Sequence, residues 1–126
     1  MTTLLLDHFY KINTLTKENG SINATVTFDV ACEIFKGHFP DMPVVPGVCQ
    51  TQMLSEIFTN AMGIDMHLKT AASIKFLSLV DPTKTPQLNL QITYTETPDN
   101  TYSVSAQYKW EETVFFKFKG IFAAAK

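Results

Sequence analysis

The chain has 126 residues, and its 10 basic against 12 acidic side chains leave a formal charge of −2. Hydrophobic residues make up 45% and charged residues only 17%, enough for one core without metals or disulfides, with one further surface expected to be buried in an oligomer. Every cation other than His is Lys, so the dense positive charge that grips nucleic acid is missing, and no apolar run nears the ~20 residues that cross a bilayer.

Period-two alternation dominates the chain and is interrupted once. Asn19-Gly20 is a strong two-residue turn signal, so about 9–17 should form a hairpin with the strand in which Ile22, Ala24, Val26, Phe28 and Val30 alternate with polar residues. The interruption runs from Pro46 to about Gly63, with Pro near the first turn and Gly just past the last, the expected punctuation of a helix. On that helix Cys49, Met53, Leu54, Ile57, Phe58, Ala61 and Met62 form an apolar arc wide enough to be wrapped by its surroundings. Gln52, Ser55, Glu56 and Thr59 make a narrow polar strip, for which a solvated face is the simplest reading.

A less regular strand follows over about 71–80, ending at Asp81-Pro82. Then come Leu88 to Thr95, a turn at Pro98-Asp99-Asn100, Tyr102 to Trp110, a turn at Glu111-Glu112, and a last strand. In that last strand Phe116, Phe118 and Phe122 share one face, and Phe115, Lys117 and Lys119 the other. Such meander connections predict an antiparallel sheet, hence an α+β architecture with one sheet holding one long helix, a single domain over 1–126. The amino terminus lacks the basic region of a signal peptide, and Cys32 and Cys49 lack CxxC spacing, which points to free thiols in a cytoplasmic protein. His8, His38 and His67 share no ligand-like spacing, so no metal site is expected.

The segment Phe35 to Val48 holds the chemistry. Its prolines and glycines make a stiff, shaped loop that carries His38 toward the start of the helix. There the backbone N–H groups of Gly47 and Val48 have no intrahelical acceptor, and with the helix dipole they suit an oxygen that develops negative charge. Gly47 lacks a Cβ, so a ligand carbonyl can approach the main chain. A histidine beside such a site could remove a proton from the carbon next to that carbonyl. Taken alone, a histidine in such a loop is more often a capping or packing residue.

As a whole, the segment Gly37-His-Phe-Pro-Asp-Met-Pro-Val-Val-Pro-Gly-Val-Cys-Gln-Thr-Gln-Met-Leu-Ser-Glu56 resembles the motif GHFPxxPVxPGVLxxExxxQ of the 3-hydroxyacyl-acyl-carrier-protein dehydratases. Leu6-Asp-His-Phe-Tyr10 and Ile74 to Pro82 follow that family more weakly, in order. The resemblance implies the hotdog fold, a curved antiparallel sheet wrapped around one central helix, in protomers that pair through their sheets with active sites across the interface. It implies His38 as the group acting on the α-carbon of a (3R)-hydroxyacyl thioester and Gly47 N–H as the clamp on the thioester carbonyl. Phe39, Pro46 and Val48 are placed at the substrate. The family's acidic residue, which lies on the partner protomer's helix and handles the departing hydroxyl, falls on Gln52, and the family's Gln falls on Glu56.

An amide can hydrogen-bond a hydroxyl but cannot protonate it near neutral pH. Three arrangements follow. Glu56, one helical turn along and roughly 6 Å away, serves as the acid; His38 acts alone; or the chain is a non-catalytic acyl-binding subunit that completes a heterodimer. A hotdog acyl thioesterase is the remaining alternative. The expected substrate is an acyl-carrier-protein or CoA thioester, whose phosphopantetheine arm makes a separate cofactor unnecessary. The expected partners are that carrier and a second copy or a related hotdog chain, with neither nucleic acid nor membrane. Lys36, Lys69, Lys75, Lys117 and Lys119 are candidates for steering an acidic carrier, against the simpler reading of an ordinary solvated face.

Overall fold

A computed structural model describes residues 5–30 and 44–124. Among these residues six strands and one helix follow in the order β1 (Tyr10–Glu18), β2 (Ser21–Phe28), α1 (Gly47–Met62), β3 (Met66–Phe76), β4 (Gln87–Glu96), β5 (Thr101–Trp110) and β6 (Thr113–Ala124). The strands form one sheet in the order β1-β2-β4-β5-β6-β3, and every pairing is antiparallel. The α+β class expected from the sequence is what the structure has, and among the described residues one sheet holds one helix, as expected. No helix among the described residues is long and apolar enough to cross a membrane.

The turns sit where their chemistry requires. Gly20 closes the first hairpin at φ 82°, Asn100 the β4–β5 turn at φ 63°, and Glu111 the β5–β6 turn at φ 55°. In β2, Ile22, Ala24, Val26 and Phe28 point inward and meet Leu88, Leu90 and Ile92 of β4 in one buried layer. Val104, Ala106 and Tyr108 of β5 continue that layer. The helix lies on it, with Met53, Leu54, Ile57 and Phe58 wholly removed from solvent. Phe58 is the pivot: its ring meets Tyr94, Tyr102 and Phe122 edge-on, with centroids 5.6, 6.0 and 5.3 Å away.

Three elements depart from the expected pattern. The strand expected to carry Val30 on its buried face ends at Phe28, and Val30 is 52% exposed. The strand anticipated over about 71–80 begins earlier, at Met66, and ends at Phe76. It is an edge strand whose side chains are mostly exposed, and its pairing with β6 shifts register twice, so alternation could not mark it. In β6, Phe115 was expected opposite Phe116, yet both are buried. The pairing jumps from Tyr108–Phe116 to Lys109–Val114, so Phe115 is the extra residue of a bulge that rotates it inward.

Gly120 occupies the tightest point of the sheet. A Cβ there would stand 2.5 Å from the Thr70 carbonyl oxygen and 2.6 Å from the Phe118 ring. Because one obstacle is backbone, Gly120→Ala should lower unfolding stability by about 1–3 kcal/mol, read as an earlier urea midpoint with unchanged slope. Gly63→Ala offers a contrast, since nothing lies within 4 Å of its position and only its φ of 71° opposes a side chain.

Candidate active site

The helix begins without a side-chain cap. Pro46 precedes it at φ −60° and ψ 147°, no side chain among the described residues caps its first N–H groups, and that turn contains no acidic residue. The Pro46 carbonyl accepts Cys49 N–H at 3.0 Å and Gln50 N–H at 3.1 Å, which leaves the amides of Gly47 and Val48 without an acceptor among the described residues. Val48 is 77% exposed, so this end of the helix opens to the surface. Phe76, which sequence reasoning did not single out, lies over Gly47: a Cβ on Gly47 would come within 2.7 Å of its ring. The helix closes with Gly63 at φ 71°, its N–H donating to the Thr59 carbonyl at 2.9 Å.

Of the polar strip Glu56 is buried, while Gln52, Ser55 and Thr59 are half-buried. Gln52, Ser55, Glu56 and Thr59 border a groove of about 720 Å³ between the helix, the start of β3 and the amino-terminal segment. Glu56 is only 7% exposed, and its carboxylate accepts four hydrogen bonds. The N–H groups of Leu5 and Leu6 donate at 2.8 and 2.9 Å, the Tyr10 hydroxyl at 2.9 Å and Gln52 Nε2 at 2.9 Å. Two successive main-chain amides, a phenol and an amide thus replace the water that a carboxylate would otherwise need. Burial first, and then the negative charge of Glu56, hold the Tyr10 phenol well above its usual range.

A second polar residue lies on the face that packs against the sheet. Gln50 is 4% exposed; its Nε2 donates to the Val45 carbonyl at 3.2 Å, and its Oε1 has no hydrogen-bond partner among the described residues. Its own carbonyl accepts the Tyr108 hydroxyl at 2.7 Å, and burial raises that phenol well above its usual range too. The position was legible: Gln50 stands three, four and seven residues from Met53, Leu54 and Ile57, inside the apolar arc.

Of the expected site residues, Pro46, Gly47 and Val48 gather at the open helix start, and Gln52 and Glu56 meet along the groove. His38, Phe39, Lys36 and Cys32 lie outside the described residues. Cys49 is buried, and His67 lines the far end of the groove. The lysines divide. Lys75, Lys117 and Lys119 share a hollow of about 530 Å³ on the sheet with Ser73, Ser105 and Gln107, whereas Lys69 stands apart near Asp99. Lys75 and Lys117 are directly opposite each other in register, a pairing that costs stability.

The two buried phenols make stability depend on alkaline pH. In the unfolded chain both ionise near pH ~10, whereas in the fold both stay protonated, so the folded state then binds more protons and stability falls as pH rises. Each phenol contributes a slope of about 1.4 kcal/mol per pH unit above pH ~10. Tyr108→Phe should therefore flatten the decline in urea-unfolding free energy measured between about pH 9 and about pH 11.

Comparison with known proteins completes the picture. No curated protein sequence matches the chain. Among solved structures, the dehydratase heterocomplex ApeI:P from Xenorhabdus doucetiae superimposes with a TM-score of 0.73 at 17% identity, covering 89% of this chain and 96% of that one. The PaaI protein of the E. coli phenylacetic acid degradation operon gives 0.65 at 13% identity, covering 93% and 80%. A hypothetical thioesterase with coenzyme A from Streptococcus pneumoniae gives 0.62 at 13% identity, covering 92% and 85%. These likenesses establish the hotdog fold. At the level of sequence the family described as ApeI dehydratase matches residues 14–118, most of the chain, and the protein belongs to the ApeI-like dehydratases.

Proposed function

We propose that the protein dehydrates a (3R)-hydroxyacyl thioester, carried on acyl carrier protein or CoA, to the trans-2-enoyl thioester. The observation that carries this reading is the start of α1, where the amides of Gly47 and Val48 have no acceptor among the described residues beside an exposed entrance. A thioester carbonyl seated there gains two donors and the positive end of the helix dipole, which stabilises the enolate-like oxygen formed when the α-proton leaves. Family membership supports the same chemistry.

His38 is the base in this reading. It takes the proton from the α-carbon; the electron pair forms the bond to C3 as the C3–O bond breaks. The imidazolium then returns the proton to the departing oxygen, which leaves as water, so no external acid is consumed. A single-base route is favoured over an acidic role for Glu56, whose carboxylate already accepts four hydrogen bonds. Phe39 and Pro46 are assigned to the acyl entrance on the family motif. The phosphopantetheine arm belongs to the substrate, and the Lys75, Lys117 and Lys119 hollow offers an acidic carrier its charge complement.

A second reading concerns assembly. In the sheet β3 is an edge strand, and Ile74, Phe76, Leu77 and Leu79 near its end are 38%, 54%, 50% and 73% exposed. An open edge beside an apolar band favours pairing with another hotdog chain. The ApeI dehydratase from Xenorhabdus stands in a heterocomplex, so a related but different chain is a partner of the same kind as a second copy.

The test is mass spectrometry of 3-hydroxyacyl carrier and CoA thioesters incubated with the protein, alone and with a co-purifying hotdog partner. Loss of water without release of free thiol is expected, and His38→Ala should reduce it by ~10²–10⁴-fold. Release of free thiol would establish the thioesterase alternative instead. Binding without turnover, even with the partner present, would leave an acyl-holding subunit.

A further inference from the structure

We infer that Glu56 is a positioning residue that fixes the Gln52 amide as a hydrogen-bond acceptor, so that the groove selects a substrate hydroxyl over a carbonyl at the same carbon. This rests on the dehydratase reading and adds to it the rule by which the site would tell its substrate from the corresponding 3-oxoacyl thioester.

The orientation of the amide follows from chemistry. Gln52 and Glu56 are 2.9 Å apart through Gln52 Nε2 and Glu56 Oε2. An ionised carboxylate only accepts, so the Gln52 atom facing it must be the NH₂ group. Its Oε1 makes no hydrogen bond among the described residues, and Gln52 is part of the groove wall. Glu56 cannot swing away to release the amide, because Leu5 N–H, Leu6 N–H and the Tyr10 hydroxyl hold both of its oxygens. The lock therefore reaches from the amino-terminal segment through one carboxylate to one carbonyl oxygen.

The consequence is a directional contact. A hydroxyl at C3 can donate to Gln52 Oε1 while keeping its own lone pairs for the proton that turns it into water. A 3-oxo group in the same place would set oxygen against oxygen at Gln52 Oε1 and leave that acceptor unsatisfied. Sites built to hydrogen-bond a substrate hydroxyl discriminate strongly against analogues that lack it, because a desolvated polar group is then left unpaired.

The experiment uses stable amide analogues of 3-hydroxybutyryl- and 3-oxobutyryl-pantetheine, with binding to the full-length protein followed by calorimetry or amide NMR shifts. The protein should prefer the hydroxyl analogue by about tenfold or more. Gln52→Met, which keeps side-chain length and removes the strong acceptor, should bring the ratio close to one by weakening the hydroxyl analogue. Glu56→Gln offers the neighbouring amide both a donor and an acceptor, so Gln52 can turn over; the ratio should again collapse, this time with tighter binding of the oxo analogue. A merely structural role for Glu56 would weaken both analogues equally and leave the ratio unchanged. An unchanged ratio in folded Gln52→Met, or equal binding of the two analogues by the unmodified protein, would overturn the inference alone. Failure of both analogues to bind would overturn the dehydratase reading and this inference with it.

Discussion

A buried carboxylate, met among the described residues by hydrogen-bond donors and by no cation, organises this molecule. Glu56 sits midway along the helix, and it fastens the chain ahead of β1 to the helix through two main-chain amides and a phenol. An ionised group withdrawn from water is tolerated only when its lone pairs are met. Here that requirement forces three separate pieces of chain into one geometry. The amino-terminal segment, the first residue of β1 and the polar side of the helix are held together around a single side chain. One wall of the groove exists because that charge must be satisfied.

The core and this polar junction divide the work. Beneath the helix, apolar rings and branched chains fix how deeply it sits, with Phe58 wedged among three aromatic rings. Such packing is indifferent to rotation by a few degrees about the helix axis, since one hydrophobic contact can substitute for another. Hydrogen bonds are directional, and those at Glu56 set which residues of the helix face the groove. Gln50, on the sheet-facing side, adds a fixed point through its carbonyl and the Tyr108 hydroxyl.

Much of this was legible in the sequence, and the exceptions have physical causes. Asn19-Gly20, Pro46 and Gly63 marked their turn and helix ends because each works through local backbone geometry. Strands with one wet face announced themselves by alternation. The edge strand did not, because a strand exposed on most of its length has no second face to contrast with. Phe115 was misplaced because a bulge changes the parity of every residue beyond it, and nothing in the local sequence signals the insertion. The burial of Glu56 was out of reach for another reason: its partners Leu5, Leu6 and Tyr10 are 51, 50 and 46 residues away. The family motif located Gly47, Gln52 and Glu56, while Phe76 over Gly47 comes only from the folding back of β3.

The open flank of β3 carries a consequence for the protein's life in a cell. Among the described residues the outer flank of β3 pairs with no other strand, so its main-chain groups, next to exposed apolar side chains, offer an extended peptide of suitable register a place to stick. Coverage of that flank therefore protects against clumping as well as completing an assembly. If the pairing proposed above covers that flank, protomers made in excess of their partner would be the first lost to quality control, and abundance would track the partner's supply more closely than the strength of the fold itself.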